Sequence, residues 1–249
     1  MAVSAAVLGV IARRKGKIPF QTAKNGTVLG ILLACHFAFL TVGLKTTLAS
    51  NAGFLVGAFV IFVPIFSRLL FKEKFTKKKL WAVSVSFAGL WLLTGGFFTV
   101  SKGAVFIIIA AAAGALHIIF VSKMSKEKGM EPFGLTFYQF AAGALLVFFI
   151  ILFNGYSFNI GSANNIIFLI LIALIGNAFT TVGQVVTQKY MTAVKAALII
   201  ALEPVFSALF AWSYGGEKFN IIAGAGGVLI ILGIFISEIS FKKNTEVLS

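Results

Sequence analysis

The sequence contains no aspartate, one cysteine, two histidines and four prolines, and only 11% of its 249 residues are charged. Each shortage excludes something. Without Asp there is no Asp-rich diphosphate site of the prenyltransferase kind, and the separated His36 and His117 make no HExxH zinc motif. GxSxG and GxxxxGK[ST] are missing too, so neither nucleophilic hydrolysis nor ATP-driven pumping has residues to use. The expectation is a protein that is not an enzyme and has no cofactor or metal. Cys35 cannot close an internal disulfide, and its apolar run suits a small hydrophobe.

What is present is apolar. Hydrophobic residues make up 59% of the chain, and mean hydropathy is +1.03. A soluble domain has about a quarter of its residues charged, so most of this chain must face lipid or other protein. A polytopic membrane protein follows. The net charge of +14 does not point to nucleic acid, because the 21 basic residues fall almost entirely in short breaks between apolar runs. That distribution fits segments meeting anionic headgroups of a lipid bilayer.

Crossing a hydrocarbon core of about 30 Å takes about 20 residues of helix. Eight uncharged runs approach that length: Gly26 to Leu44, Ser50 to Ser67, Leu80 to Val100, Gly103 to Ser122, Pro132 to Phe153, Ile166 to Gln188, Ala196 to Gly215 and Phe219 to Ser237. Glu203 is the only formal charge inside any of them. They are apolar on every face, without the alternation of a membrane β-barrel, so the fold is all-α. A ninth run, Met1 to Ala12, is short, and its positive charges follow rather than precede it, the reverse of a secretory signal. It reads as the back half of a helix.

With nine spans the gaps alternate between two sets holding 18 and 3 basic residues. The rich set includes Arg13 to Lys24, Arg68 to Lys79, Lys123 to Lys128, Lys189, Lys195, Lys242 and Lys243. The poor set is Lys45, Lys102 and Lys218. The positive-inside rule makes the rich set and the C-terminal tail cytoplasmic, and the uncharged Asn154 to Asn165 an outside loop. Met1 is then left outside, so one further upstream span is expected, with a genuine nine-span protein as the alternative.

Shifting the chain against itself by 144 positions pairs Lys45 with Lys189, Ala49 with Ala193, Ala52 with Ala196, Phe62 with Phe206, Phe66 with Phe210 and Glu73-Lys74-Phe75 with Glu217-Lys218-Phe219, and reaches Gly89 and Gly233. Those eight identities over 31 positions exceed the two or so expected by chance. The paired segments start on opposite sides of the membrane, so the repeat is inverted, the sequence mark of secondary transporters.

Leu202-Glu203-Pro204-Val205-Phe206-Ser207-Ala208-Leu209-Phe210-Ala211, then Gly216-Glu217-Lys218 and Gly226-Gly227-Val228-Leu229-Ile230-Ile231-Leu232-Gly233, resemble the closing signature of EamA-type carriers of the drug/metabolite transporter (DMT) superfamily. The resemblance covers essentially the whole chain. It implies two inverted five-helix repeats, ten spans with both termini cytoplasmic, and movement of metabolites, often outward. The first repeat would occupy 1–100 and lack its first span, the second 103–240, with a tail at 241–249. Pro64 lies four residues beyond Val60, the position matching Pro204, which predicts a kink shifted by about one turn.

Glu203 is the foremost candidate. A mid-membrane carboxylate is costly, so it faces the interior and serves protons, binds an amine, or stays neutral within the kink beside Pro204. Its repeat partner is Phe59. Pro64 and Pro204 are hinge candidates, with static packing as the alternative. Asn177, Thr180, Thr181, Gln184 and Gln188 fall at i, i+3, i+4, i+7 and i+11, one polar face that lines a cavity or bonds neighbouring helices. His36 occupies the repeat position of Thr180, and His117 lies in the fifth span; either relays protons or joins helices. Tyr138 and Gln139 are weaker candidates. Gly224, Gly226, Gly227 and Gly233 suit close packing, since Leu229 stands where a nucleotide loop needs its last glycine. Glu73 and Glu217 are read as ion pairs with Lys74 and Lys218.

These residues predict a secondary carrier in the cell membrane that moves a small-molecule substrate such as an amino acid or a drug, with protons as a candidate coupling ion. A non-transporting membrane scaffold is the alternative. The sequence is silent on oligomeric state.

Overall fold

A computed structural model describes residues 1–47, 49–74, 76–95, 101–153, 163–216 and 218–238. The expectations placed on residues 154–162, on Glu217 and on the tail 241–249 lie outside the described residues. The first half consists of helices α1 (Ala2–Arg14), α2 (Phe20–Leu44), α3 (Ala49–Gly57), α4 (Phe59–Phe71) and α5 (Lys77–Leu93). The second consists of α6 (Lys102–Met124), α7 (Pro132–Phe153), α8 (Ala163–Leu171), a π-helical segment (Ile172–Phe179), α9 (Thr180–Gln188), α10 (Ala193–Ile200), α11 (Glu203–Ser213) and α12 (Ile221–Glu238). No strand occurs among the described residues. The protein is an all-helical polytopic membrane protein.

Among the described residues seven helical stretches are long and apolar enough to cross a membrane, α3 with α4, α8 with α9, and α10 with α11 each counting as one. The other two helices, α1 and α5, are shorter, at 13 and 17 residues. Helices prevail because lipid cannot satisfy free backbone groups, so each span must bond its own N–H and C=O groups internally. The starts are capped where the chain leaves the apolar zone. Ser101 Oγ accepts from the Ala104 amide at 3.0 Å, Thr76 Oγ1 from Lys79 at 3.3 Å, and Asn220 Oδ1 from Ile222 at 2.9 Å.

The polar bonds between helices keep the two sets of ends apart. Lys15 pairs with Glu131, Lys123 with Glu73 at 2.6 Å, and Lys195 with Glu238 at 2.9 Å, all within the basic set. Asn25 Nδ2 donates to Glu127 on the same face. At the other face Thr47 and Ser101 hydroxyls meet at 3.2 Å. Glu73 therefore reaches across to α6 instead of pairing with neighbouring Lys74, which corrects the expected local pair. The turn directs its carboxylate inward, because Lys72 takes the left-handed conformation, φ 52°.

Close helix pairs rest on glycine. A Cβ on Gly89 of α5 would sit 2.5 Å from the Gly226 carbonyl oxygen of α12, and Gly226 and Gly233 abut α5 backbone in return. Gly26 of α2 lies against the backbone of α7 in the same manner. Gly226 and Gly233 of α12 thus serve packing, as their sequence context implied.

The breaks inside two spans correct another expectation. The span 51–71 breaks at Ala58 and the span 193–213 at Ala201 and Leu202. Ala58 and Leu202 are 144 apart, so the breaks coincide under the repeat shift instead of being offset by a turn. Pro64 lies inside α4, past its break, whereas Pro204 sits in the first turn of α11, where a missing N–H costs nothing.

Candidate functional site

Between the broken spans lies a cavity of about 730 Å³. α2 contributes Leu33, His36 and Phe37, α6 contributes Gly114, His117 and Ile118, and the π segment with α9 contributes Asn177, Thr180, Thr181 and Gln184. Phe59 and Glu203 enter from the two breaks. Seven of the eight sequence candidates therefore share one chamber: Glu203, Asn177, Thr180, Thr181, Gln184, His36 and His117.

Glu203 begins α11, a half-helix whose N-terminal end carries partial positive charge. It makes no hydrogen bond or ion pair within the described residues, and its side chain is exposed into the cavity. Phe59 stands at the matching position of the other break and begins α4.

His36 is held by its back edge. Its Nδ1 lies 2.8 Å from the Ala110 carbonyl oxygen, which accepts only, so Nδ1 carries the proton and donates. Nε2 is left to the chamber as a proton acceptor or, when protonated, a donor. Gly114 makes this possible, since a Cβ there would come within 2.9 Å of the ring. His117 is buried at 4% exposure with Gln139 beside it. The two side chains adjoin, and among the described residues neither His117 Nε2 nor either amide atom of Gln139 meets a hydrogen-bond partner in good geometry. Leaving a group such as His117 Nε2 unpaired costs about 1–3 kcal/mol, which a guest, a water or a proton entering the chamber would offset.

Gln139 lies behind the wall rather than in it, fully buried in α7. Tyr138 packs edge-on to Phe137 at 4.9 Å and does not line the chamber. Gln188 is likewise outside it. Its Oε1 accepts from Ser122 Oγ at 3.1 Å in a buried contact between α9 and α6. The polar face read from helical spacing therefore splits, four residues facing the cavity and the last tying helices together. Pro204 lines a smaller cavity of about 330 Å³ next to the chamber, and Pro64 a cleft between α4 and α5.

Sequence reasoning missed the π-helical segment. Thr180 Oγ1 donates to the Gly176 carbonyl at 2.5 Å, bonding one carbonyl near the point where α geometry resumes. Such segments widen a helix by one residue per turn and recur at functional sites. This one places Asn177 on the chamber wall, while α2 at the repeat-related positions stays regular.

A smaller cavity extends the chamber toward one end. The smaller cavity shares Val56, Phe59, Ile200 and Glu203 with it and continues to Leu44 and Gly53, at the end with few charges. Toward the basic end, Leu29, Val121, Met130, Leu135 and Val185 pack as one buried cluster beside the Ser122 to Gln188 bond.

The sequence profile of the EamA-like transporter family matches residues 1–95 and 101–238. An uncharacterized transporter of Archaeoglobus fulgidus is 30% identical over 215 residues, covering 86% of this chain and 68% of its own length. The uncharacterized transporter YdfC of Bacillus subtilis is 25% identical, covering 88% of this chain and 72% of its own. A solved crystal structure, 16% identical, has a TM-score of 0.77 over 95% of this chain and 83% of that one, a likeness of fold. With its apolar helices and a family match along nearly all its length, the chain belongs to the EamA-like transporters of the drug/metabolite transporter superfamily, and is a membrane transporter.

Proposed function

We propose that this transporter is a secondary carrier of small organic metabolites, working by alternating access at the interface of two inverted repeats of the five-helix type, 103–240 and 1–100, the latter lacking its first span. The observation that carries the reading is the chamber, whose polar groups come from both halves and meet at two half-helix starts. Its volume of about 730 Å³ falls within the range for small-molecule sites, roughly 300–1,000 Å³. The apolar walls from Leu33, Phe37, Phe59 and Phe206 favour a solute with a hydrocarbon part.

Among the described residues that line the chamber, Glu203 is the one carboxylate. It suits an amine-bearing solute such as an amino acid, or a neutral one with the carboxylate carrying protons. His36 Nε2 is the second group able to take up a proton. The cluster around Leu29 and Val185 acts as the closed gate of this state, and the path by Leu44 and Gly53 as the open one. Under the positive-inside rule the closed gate faces the cytoplasm and the C-terminus is cytoplasmic, the orientation of a carrier in the cell membrane.

Uptake of a labelled metabolite panel into proteoliposomes under an imposed pH gradient tests this, with wild type and Glu203→Gln side by side. Saturable, competed uptake that Glu203→Gln uncouples from the gradient is expected. Saturable uptake indifferent to the substitution removes Glu203 from coupling, and no uptake of any solute by folded protein turns the reading to a scaffold.

A further inference from the structure

A second cavity, outside the transport chamber, lies in the groove between α4 and α5 and measures about 780 Å³. Its two ends differ in chemistry. At the basic face Arg68, Lys77 and Lys79 line the mouth, and from there Leu80, Phe87 and Trp91 continue the wall along α5. From Lys77 to Leu92 the lining follows about 22 Å of helix at about 1.5 Å per residue, more than the roughly 15 Å depth of one leaflet's hydrocarbon. The other face of α5 is taken by α12 through Ser86 and Gly89, so the groove opens away from the bundle. Leu80 at 61% and Ile65 at 45% exposure flank that opening.

Among the described residues the mouth has no acidic partner. Glu73, the acid nearest in sequence, is bound by Lys123 at 2.6 Å, and no ion pair among the described residues involves Arg68, Lys77 or Lys79. Lys77 and Lys79 moreover stand in the first turn of α5, which contains no acid. Cations there oppose the helix dipole, so the arrangement is unfavourable until an anion joins it. The walls call for hydrocarbon and the mouth for a phosphate.

We infer that the α4–α5 groove is a binding site for an anionic phospholipid of the leaflet at the basic face, its phosphate held by Arg68, Lys77 and Lys79 and an acyl chain lying along Phe87 toward Trp91. A second copy of this chain is disfavoured as occupant, because it brings a net charge of +14 against a cationic mouth. A zwitterionic lipid brings its own cation to the same place. Basic pockets between membrane helices take anionic headgroups for these reasons. This inference concerns a different site from the carrier reading and is measured without transport.

Native mass spectrometry of the full chain in detergent, given equal dioleoylphosphatidylglycerol and dioleoylphosphatidylcholine, tests the site. One phosphatidylglycerol per chain is expected, retained at least about fivefold over phosphatidylcholine, since each basic side chain engaged is worth about that factor. Combined Arg68→Gln, Lys77→Gln and Lys79→Gln abolishes the preference. Combined Arg14→Gln, Lys17→Gln and Lys24→Gln, the same charge loss elsewhere on the face, keeps it. Ala88→Phe, which fills the groove with every charge intact, weakens retention, and glycerol 3-phosphate, with no chains, is not retained. Equal retention of the two lipids by wild type overturns the inference. So does equal loss in both charge variants, unchanged retention in Ala88→Phe, or retention of glycerol 3-phosphate, which marks a soluble-phosphate site.

Discussion

Ala58 and Leu202 close matching turns 144 residues apart. The Ala58 amide donates to the Leu55 carbonyl at 3.2 Å, and the Leu202 amide to Ile199 at 3.0 Å, each a tightened bond that ends one half-helix. Phe62 then bonds back to Ala58 at 3.1 Å, and Phe206 to Leu202 at 3.0 Å, restarting the helix. The match extends to the turns and caps. Lys72 and Gly216 both have positive φ, and Thr76 and Asn220 both cap the next helix.

Lys72 is the strained member of its pair. A left-handed backbone costs an L-residue roughly 1–2 kcal/mol, whereas Gly216 adopts it freely. Lys72→Gly should therefore raise stability by about 0.5–1 kcal/mol after glycine's entropic cost, read as a higher unfolding midpoint in detergent. A lower midpoint contradicts the turn geometry.

Gly89→Ala and Gly183→Ala make the same chemical change with opposite results. At Gly89 the new methyl meets the Gly226 carbonyl oxygen at 2.5 Å, and separating α5 from α12 should cost about 1–3 kcal/mol. At Gly183 nothing lies within 4 Å, so alanine's helix propensity should leave stability equal or up to about 1 kcal/mol higher. Thermal unfolding of the two variants under one set of conditions checks the contrast.

Ser122→Ala should destabilise more than Gln188→Leu. Removing the hydroxyl leaves Gln188 Oε1 buried without its donor and costs about 1 kcal/mol in a membrane bundle. Gln188→Leu also removes an amide nitrogen that has no partner already, which offsets the lost bond. The reverse order would mean that the Gln188 amide is satisfied in the protein.

These residues also mark how far the sequence could be read. The spans were legible because a bilayer demands uninterrupted apolar helix, and the run Pro132 to Phe153 coincides with α7. Helical spacing brought Asn177, Thr180, Thr181 and Gln184 to one wall. At Gln188 the other expected role of that face holds, a bond to a neighbouring helix, because facing direction does not say how deep the cavity reaches. Pro64 misplaced the first break: proline marks a lost backbone bond, while the break at Ala58 lies where α3 and α4 meet α6 and α10. The π segment has no composition of its own to announce it, and Gln139 could be placed neither in the chamber nor behind it from periodicity alone.

Transport as proposed requires a wet chamber that is reached from each side in turn. In a Cys35→Ser background, Thr181→Cys places one thiol on its wall, and a membrane-impermeant maleimide added to either side of reconstituted vesicles reports access. Labelling from both sides, slowed on both by a transported solute, is the result expected of alternating access. Labelling from one side only, or from neither, contradicts it.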